Sequence, residues 1–497
     1  MVCNGTLVWP DANPAGISVE SLTIGPAGVL RFNGPWDTFQ LGLAPYPPNL
    51  PGPPTMNIIQ GGQVYSPGNT LRYGKYVYSV LNISGAGSLY NGFALYASTA
   101  GGSVNITDGG KAEADYVVLG GSASSTSTVS GAGSSLRQTN TSAAAYLVVG
   151  ADTGNNTLII SNQANVDVAA SFYAGITYAG SIGHLIVDNA TMTNKQLFVI
   201  GENGGWNGSS SMIIRNGGRV YCAGISTIGR SRWGAHVPPI VGAVTVDGAG
   251  SVWTNLSNLI VGEYGDAALV ITNGGRVYCA GLGGVGQYPG AHGRVDVVGN
   301  GSRWDVAGSY VGLGDQGNTT GCSMLVSEGA TVAAAGQFFI ADGCTLELAG
   351  GTVQSGATPW FRLYGAATVF KGWGTVVGNV NNAGVFLPGG SNATGALTFS
   401  NDFTFASTST STFDFVSGAY DQAVVKGNFT AGGELNLAFI GRPVGGRYVI
   451  INVAGTKSGS FSKTNWLGTV RNGTRAGFEG NNYVVNVPIA GTVMSIR

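Results

Sequence analysis

The nine residues NGGRVYCAG occur twice, at 216–224 and at 273–281. Their surroundings repeat too. NGGRVYCAGISTIGRSRWGAHVPPIVGAVTVDGAGSVW aligns with NGGRVYCAGLGGVGQYPGAHGRVDVVGNGSRW, so His236 matches His292. The copies start 57 residues apart (273 − 216). A duplicated site and a duplicated structural unit would both give this pattern. The rest of the chain bears on the choice, because short apolar runs ending in Gly recur throughout. They are YVVLG to Gly120, YLVVG to Gly150, SFYAG to Gly175, LFVIG to Gly201, ISTIG to Gly229, NLIVG to Gly262, LGGVG to Gly286 and SYVG to Gly312. The steps are 30, 25, 26, 28, 33, 24 and 26 residues. Between them lies a second kind of run that ends in a turn, such as LIISNQANV, MIIRNGGRV or VTVDGAGSVW.

Each unit therefore reads as strand, Gly/Asn corner, strand, loop. One unit cannot bury its own apolar face, but stacked units can. Asn-Gly, Asp-Gly and Gly-Gly supply the positive φ that a sharp corner requires. The expected fold is all-β: a parallel β-solenoid, or β-helix, of about eleven coils. Three segments are expected: an N-terminal β cap or arm over 1–80, the solenoid over 81–394 and a C-terminal β region over 395–497. The arm contains the proline-rich stretch LAPYPPNLPGPP at 43–54, which cannot donate to a ladder. The duplicated block amounts to two coils.

Composition agrees. Of 497 residues 84 are Gly, 43% are apolar and only 9% are charged, with 23 basic against 24 acidic residues. There is no collagen period, and helical periodicity is absent. A net charge of −1 leaves no electrostatic footprint for nucleic acid. No apolar run is long enough for a transmembrane helix. MVCNGTLVWPDANP lacks a basic start and an apolar stretch. The expectation is an exported precursor that has been trimmed, found outside the cell or on its surface.

Chemistry is sparse. No two acidic residues recur on adjacent coils as a dyad, and the nucleophile-elbow, zinc and phosphate-loop motifs are absent. DTGNN (152–156) and GLGDQGNTTG (312–321) offer oxygen ligands without the nonapeptide period of calcium solenoids. His236 and His292 lie two coils apart, too far for a shared metal, and His184 has no acidic neighbour. No catalytic residue, metal or cofactor is expected. Stacking the coils puts Tyr221, Trp253, Tyr278 and Trp304 at one position. Facing inward they form a core stack, which is the expected arrangement. Facing outward they form a strip for stacking on sugars. Cys222 and Cys279 also fall two coils apart with Thr254 between, beyond the reach of a disulfide. Cys322 and Cys344 take equivalent places on adjacent coils, where a disulfide is feasible; Cys3 remains outside this scheme. Sequons occur at Asn4, Asn82, Asn105, Asn140, Asn155, Asn189, Asn207, Asn255, Asn300, Asn318, Asn392, Asn428 and Asn472, and they permit glycosylation.

From about residue 372 the text changes to GWGTVVGNVNNAG, PGGS, LTF, DQAVVKG and GELN. This series resembles the end of an autotransporter-type β-helical passenger. It also resembles bacterial surface proteins that carry passenger-type repeats and a Pro-Glu-Pro sorting tail. GAGSVW, LIVG and LVITNGGRV upstream are similar to their repeats, so the resemblance covers roughly 85–465. It implies the β-helix and export, and it is silent on activity. After YVVNVPIAGTVMSIR neither a translocating barrel nor a sorting tail follows. The functional expectation is a non-catalytic extracellular structural protein that assembles with itself, through its terminal segments, into a filament or matrix. The alternative is an adhesin or glycan-binding β-helix, and third a polysaccharide lyase or hydrolase.

Overall fold

The structure is a computed structural model. It describes the chain apart from residues 1, 4, 10–20, 27, 33–38, 42–52, 54, 74–77, 98–100, 177–180, 204–208, 232–240, 315–318, 357–360, 443 and 490–497. The described residues hold strands and no helix. The fold is a parallel β-solenoid of about 14 turns, three more than the repeat count suggests. It divides into two compact units, Met1–Gly281 and Leu282–Arg497.

In the N-terminal unit each turn contributes three strands to three parallel ladders. In the first, Ile83, Ile106, Val129, Ile160, Val187, Ile214, Val246 and Ile271 stand in register on successive turns. All are buried, forming an aliphatic column down the core. The second ladder carries Tyr90, Ala112, Leu136, Val166, Met192, Val220, Trp253 and Val277 in one inward column. Buried residues alternate with half-exposed ones in both ladders, and the outward column of the first changes from Asn82, Asn105 and Thr128 to Ile159, Ile186 and Ile213. Parallel pairing begins early: Thr55–Ile59 already pairs in register with Ser79–Ser84. The proline-rich arm lies outside the described residues except for Pro53.

The third ladder holds the runs that end in Gly. Its strands are buried on both faces: in Tyr146–Val149, Leu147, Val148 and Val149 are all buried. That is why these runs read as unbroken apolar stretches rather than as alternation. The closing Gly is dictated twice over at Gly120 and Gly175. Both have positive φ, +85° and +71°. A Cβ would lie 2.1 Å from the Asn156 side chain at Gly120 and 2.1 Å from Ser210 Oγ at Gly175.

Two kinds of corner recur. In the Asn-Gly kind, Asn216 and Gly217 both have positive φ. In the Gly-Ala-Gly-Ser kind, the serine clasps the turn before it. Ser88 Oγ accepts from Gly61 N at 3.1 Å and donates to Ser84 O at 2.7 Å. Ser134 and Ser251 accept in the same way from Gly109 N and Gly217 N.

The C-terminal unit keeps parallel pairing from Arg294↔Ser323 to Glu434↔Lys463. Its core is built of phenylalanine. Phe338 and Phe361 stack at 4.7 Å, Phe399 and Phe403 at 3.9 Å, and Phe386 meets five rings, Phe370, Phe399, Phe403, Phe405 and Phe413. At its end the pairing turns antiparallel: Asn482–Val487 lies between Gly446–Val453 and Arg475–Glu479.

Candidate functional site

The four rings expected at one position are split by the register. Val220 pairs with Trp253 and Trp253 with Val277, while Tyr221 pairs with Thr254 and Thr254 with Tyr278. Trp253 is fully buried, whereas Tyr221 and Tyr278 are 39% and 38% exposed. Trp304, in the C-terminal unit, is buried and pairs with Val332. Adjacent residues of a strand face opposite sides, so an offset of one residue separates core from surface. The two exposed tyrosines have a threonine between them and form no continuous strip.

The cysteines are placed by the same register. Cys222 and Cys279 flank Asn255, not Thr254. Asn255 is buried and closes the corner by donating from Nδ2 to Ser257 O at 2.8 Å and Asn258 O at 2.7 Å. On the neighbouring turns, Cys222 Sγ accepts from Trp253 Nε1 at 3.5 Å and Cys279 Sγ donates to Ser257 O at 3.1 Å. Burial pushes both thiols up, to about 12 and about 11. The repeated cysteine is therefore a corner residue whose thiol burial keeps protonated. Cys322 and Cys344 are free, buried thiols on adjacent turns. The side chain of Cys3 lies outside the described residues.

Burial sorts the sequons. Asn155, Asn189, Asn300, Asn392, Asn428 and Asn472 are exposed, and Asn140 is half-buried. Asn82 and Asn105 belong to a half-buried amide ladder: Asn82 Nδ2 donates to Asn57 Oδ1 at 2.8 Å and Asn105 Nδ2 to Asn82 Oδ1 at 3.0 Å. Asn4, Asn207 and Asn318 lie outside the described residues, as does His236. His184 is half-buried beside Ser211 Oγ at 2.7 Å, and burial lowers its pKa. Asp152 of DTGNN accepts from Ser122 Oγ at 2.7 Å and Thr153 N at 2.8 Å, which occupies its carboxylate with the turn. Among the described residues no three His, Cys, Asp or Glu side chains gather as a metal-binding group. No helix among them is long and apolar enough to cross a membrane.

The structure assembles two features not visible in the repeats. The first is an aromatic cleft of about 410 Å³ on the outer face of the third ladder in the N-terminal unit. Its axis is one outward column, in which Tyr96, Val118, Val148 and Tyr173 are in register. Two valines thus separate two rings that stand three turns apart, about 14 Å at 4.8 Å per turn. Tyr146 enters from the adjoining column, and the loop residues Ala143–Ala145 form a wall. None of the lining residues is charged. Beside the cleft the rings continue edge to face, Tyr146 to Tyr116 at 5.6 Å and Tyr116 to Phe93 at 5.3 Å. Burial raises the Tyr146 phenol, and Tyr96 and Tyr116 add to the shift, so its hydroxyl remains a neutral donor.

The second feature follows the closing glycines. Glu202 and Arg230 are in register, and Arg230 also reaches Glu263 on the next turn, at 3.9 Å and 3.5 Å respectively. Two carboxylates thus share one guanidinium. Burial raises the Glu263 pKa, Arg230 opposes the shift and Glu202 adds to it. The sequence offered no acidic pair because these residues lie two turns apart.

In the C-terminal unit the PGGS and DQAVVKG stretches meet. Asp421 Oδ1 accepts from Gly395 N and Oδ2 from Asp414 N, both at 2.8 Å, and Asp414 Oδ2 accepts from Asn392 N at 2.7 Å. Both carboxylates are buried. Burial pushes Asp421 up to about 8, with Asp414 adding to the shift. These motif residues knit a turn to a hairpin.

No protein-family model matches the chain, and no curated protein matches it. Among solved structures the chain is similar to a TibC-catalysed, hyperglycosylated TibA fragment, at 14% identity and a TM-score of 0.32, over 74% of this chain and 98% of that one. It is also similar to the Hap adhesin of Haemophilus influenzae, at 9% identity and a TM-score of 0.21, over 93% of this chain and 64% of that one.

Proposed function

We propose that this chain is a non-catalytic β-helix of the cell surface or extracellular medium whose tyrosine cleft binds carbohydrate. The observation that carries this reading is the uncharged cleft flanked by Tyr96, Tyr146 and Tyr173. Aromatic faces stack on the apolar faces of sugar rings, and phenol hydroxyls supply a few directed hydrogen bonds. The absence of charge favours a neutral sugar over a uronic or sialic acid. Export rests on the resemblance of the repeats and of residues 372–436 to passenger-type surface proteins. The test is a glycan array on the full chain, followed by calorimetry. Tyr146→Ala and Tyr173→Ala should each weaken binding about tenfold, the loss of roughly one stacked ring. Folded protein that binds no neutral glycan would sink the proposal.

One observation favours a second reading, end-to-end assembly. Among the described residues strand Lys463–Gly468 pairs with Glu434–Ile440 alone, and it exposes Trp466 and Leu467. Such an edge invites another strand. The last described strand, Asn482–Val487, is already paired within the chain and offers no free strand for exchange. Filaments in negative stain, lost in Trp466→Lys, would support assembly; monodisperse rods by light scattering would exclude it. Polysaccharide cleavage ranks third. Arg230 stands between Glu202 and Glu263 and ties up the two carboxylates that hydrolysis would use.

A further inference from the structure

Two pairs of cysteines invite comparison. Cys222 and Cys279 have Asn255 between them, so their turns are about 9.6 Å apart. Cys322 and Cys344 precede paired residues: Ser323 is in register with Thr345, and Thr345 N donates to Cys322 O at 2.9 Å. Neighbouring parallel strands lie about 4.8 Å apart, inside the Cα range that a disulfide spans. Cys322 Sγ donates to Ala291 O at 3.9 Å and Cys344 Sγ to Thr319 O at 3.4 Å, and each thiol shifts the titration of the other, so the two sulfurs are neighbours. Both are buried. The space they fill exists because their neighbours are glycines: a Cβ on Gly286 would lie 2.1 Å from Cys322 Sγ, and one on Gly314 would lie 3.0 Å from Cys344 Sγ.

We propose that Cys322 and Cys344 are joined by a disulfide that rivets two successive turns of the C-terminal unit when the chain folds under oxidising conditions. Cys322 is the attacking sulfur. The neighbouring Cys344 thiol lowers its pKa to about 7, and the nearby His292 acts in the same direction. The Cys322 thiolate attacks one sulfur of a small-molecule disulfide and expels the other as a thiolate. Cys344 then gives up its proton, attacks the Cys322 sulfur of the mixed disulfide and expels the second thiolate. The chain loses two protons and two electrons, and the oxidant becomes two thiols. Because the completed fold buries both sulfurs, the exchange takes place while the Cys344 turn has come beside Cys322 but still admits the oxidant, and full docking then seals the bond.

The full chain is refolded in a buffer of oxidised and reduced glutathione, quenched in acid, and alkylated in guanidinium without reductant. Peptide mapping should find Cys322 linked to Cys344, with Cys222 and Cys279 alkylated. Adding a phosphine reductant should lower the melting temperature of the wild type by several degrees. It should leave Cys344→Ser unmoved, and Cys322 should label fully in that variant. Labelling of all four buried cysteines in the refolded wild type overturns the proposal, as does linkage of either thiol to Cys222 or Cys279.

Discussion

Trp253 Nε1 donates to Cys222 Sγ across neighbouring turns at 3.5 Å. The contact joins two residues that sequence likeness would not align. It also fixes which ring of the repeated motif belongs to the core. Trp253→Ala should therefore cost about 3–5 kcal/mol, whereas Tyr221→Ala, which removes a ring on the wet side of the next column, should cost under about 1 kcal/mol. Denaturant melts read by Trp fluorescence and circular dichroism would show the contrast. Equal losses would mean that the register is wrong.

Binding in the tyrosine cleft should be flat between about pH 5 and pH 9. No charged group lines it, and the Tyr146 phenol titrates above its ordinary value near 10. Calorimetry across that range would check this. A transition near pH 6–7 would point to a histidine and to a different site.

Asp421 makes stability depend on pH in the direction opposite to a salt-bridged carboxylate. Its folded pKa is raised to about 8, so between about pH 4 and pH 8 the folded state holds a proton that the unfolded state releases. Stability therefore falls as pH rises through that window and levels off above it. Asp421→Asn should lack this slope, so the stability difference between variant and wild type should itself change through that window. Its melting temperature should be lower at pH 5, because a side-chain amide has one acceptor oxygen for two backbone donors. Scanning calorimetry at several pH values tests both statements.

In a host that attaches N-linked glycans, occupancy should follow burial. Asn155, Asn300, Asn428 and Asn472 are exposed and should be modified. Asn255 is buried with both its donors in use and should remain bare, as should Asn82 and Asn105 in their amide ladder. Site-mapped mass spectrometry decides. A fully occupied Asn255 would mean that its corner opens.

The solenoid was legible because its signals are periodic. The closing glycines and the Asn-Gly corners recur on every turn or two, and each has one steric cause. Ring orientation was not legible, because the eye aligns Val220 with Val252, whereas the backbone counts from the corner. Gly218 N bonds to Arg215 O and Ser251 N to Gly248 O, which sets Arg219 opposite Val252 and Val220 opposite Trp253. The cleft was hidden for another reason. Its column collects one residue from each of four turns, at positions 96, 118, 148 and 173, and its wall comes from a loop. The available signal was the missing alternation in the Gly-ending runs, which marks a strand covered on both faces. The acidic pair was missed because Glu202 and Glu263 belong to turns that are not neighbours.

The serine clasp constrains how such a chain can lengthen. Ser251 needs beneath it a corner whose glycine amide, Gly217 N, is turned toward it, and the corner of its own turn is of the other kind. A copied segment of one turn would set like corner on like corner and leave an amide without its acceptor. A copied segment of two turns carries clasp and clasped together, and each new junction repeats an old one. The word-for-word recurrence at 216 and 273 has that length, whereas the stacked corners at Asn162, Asn189 and Asn216, which bond backbone to backbone, carry no such constraint.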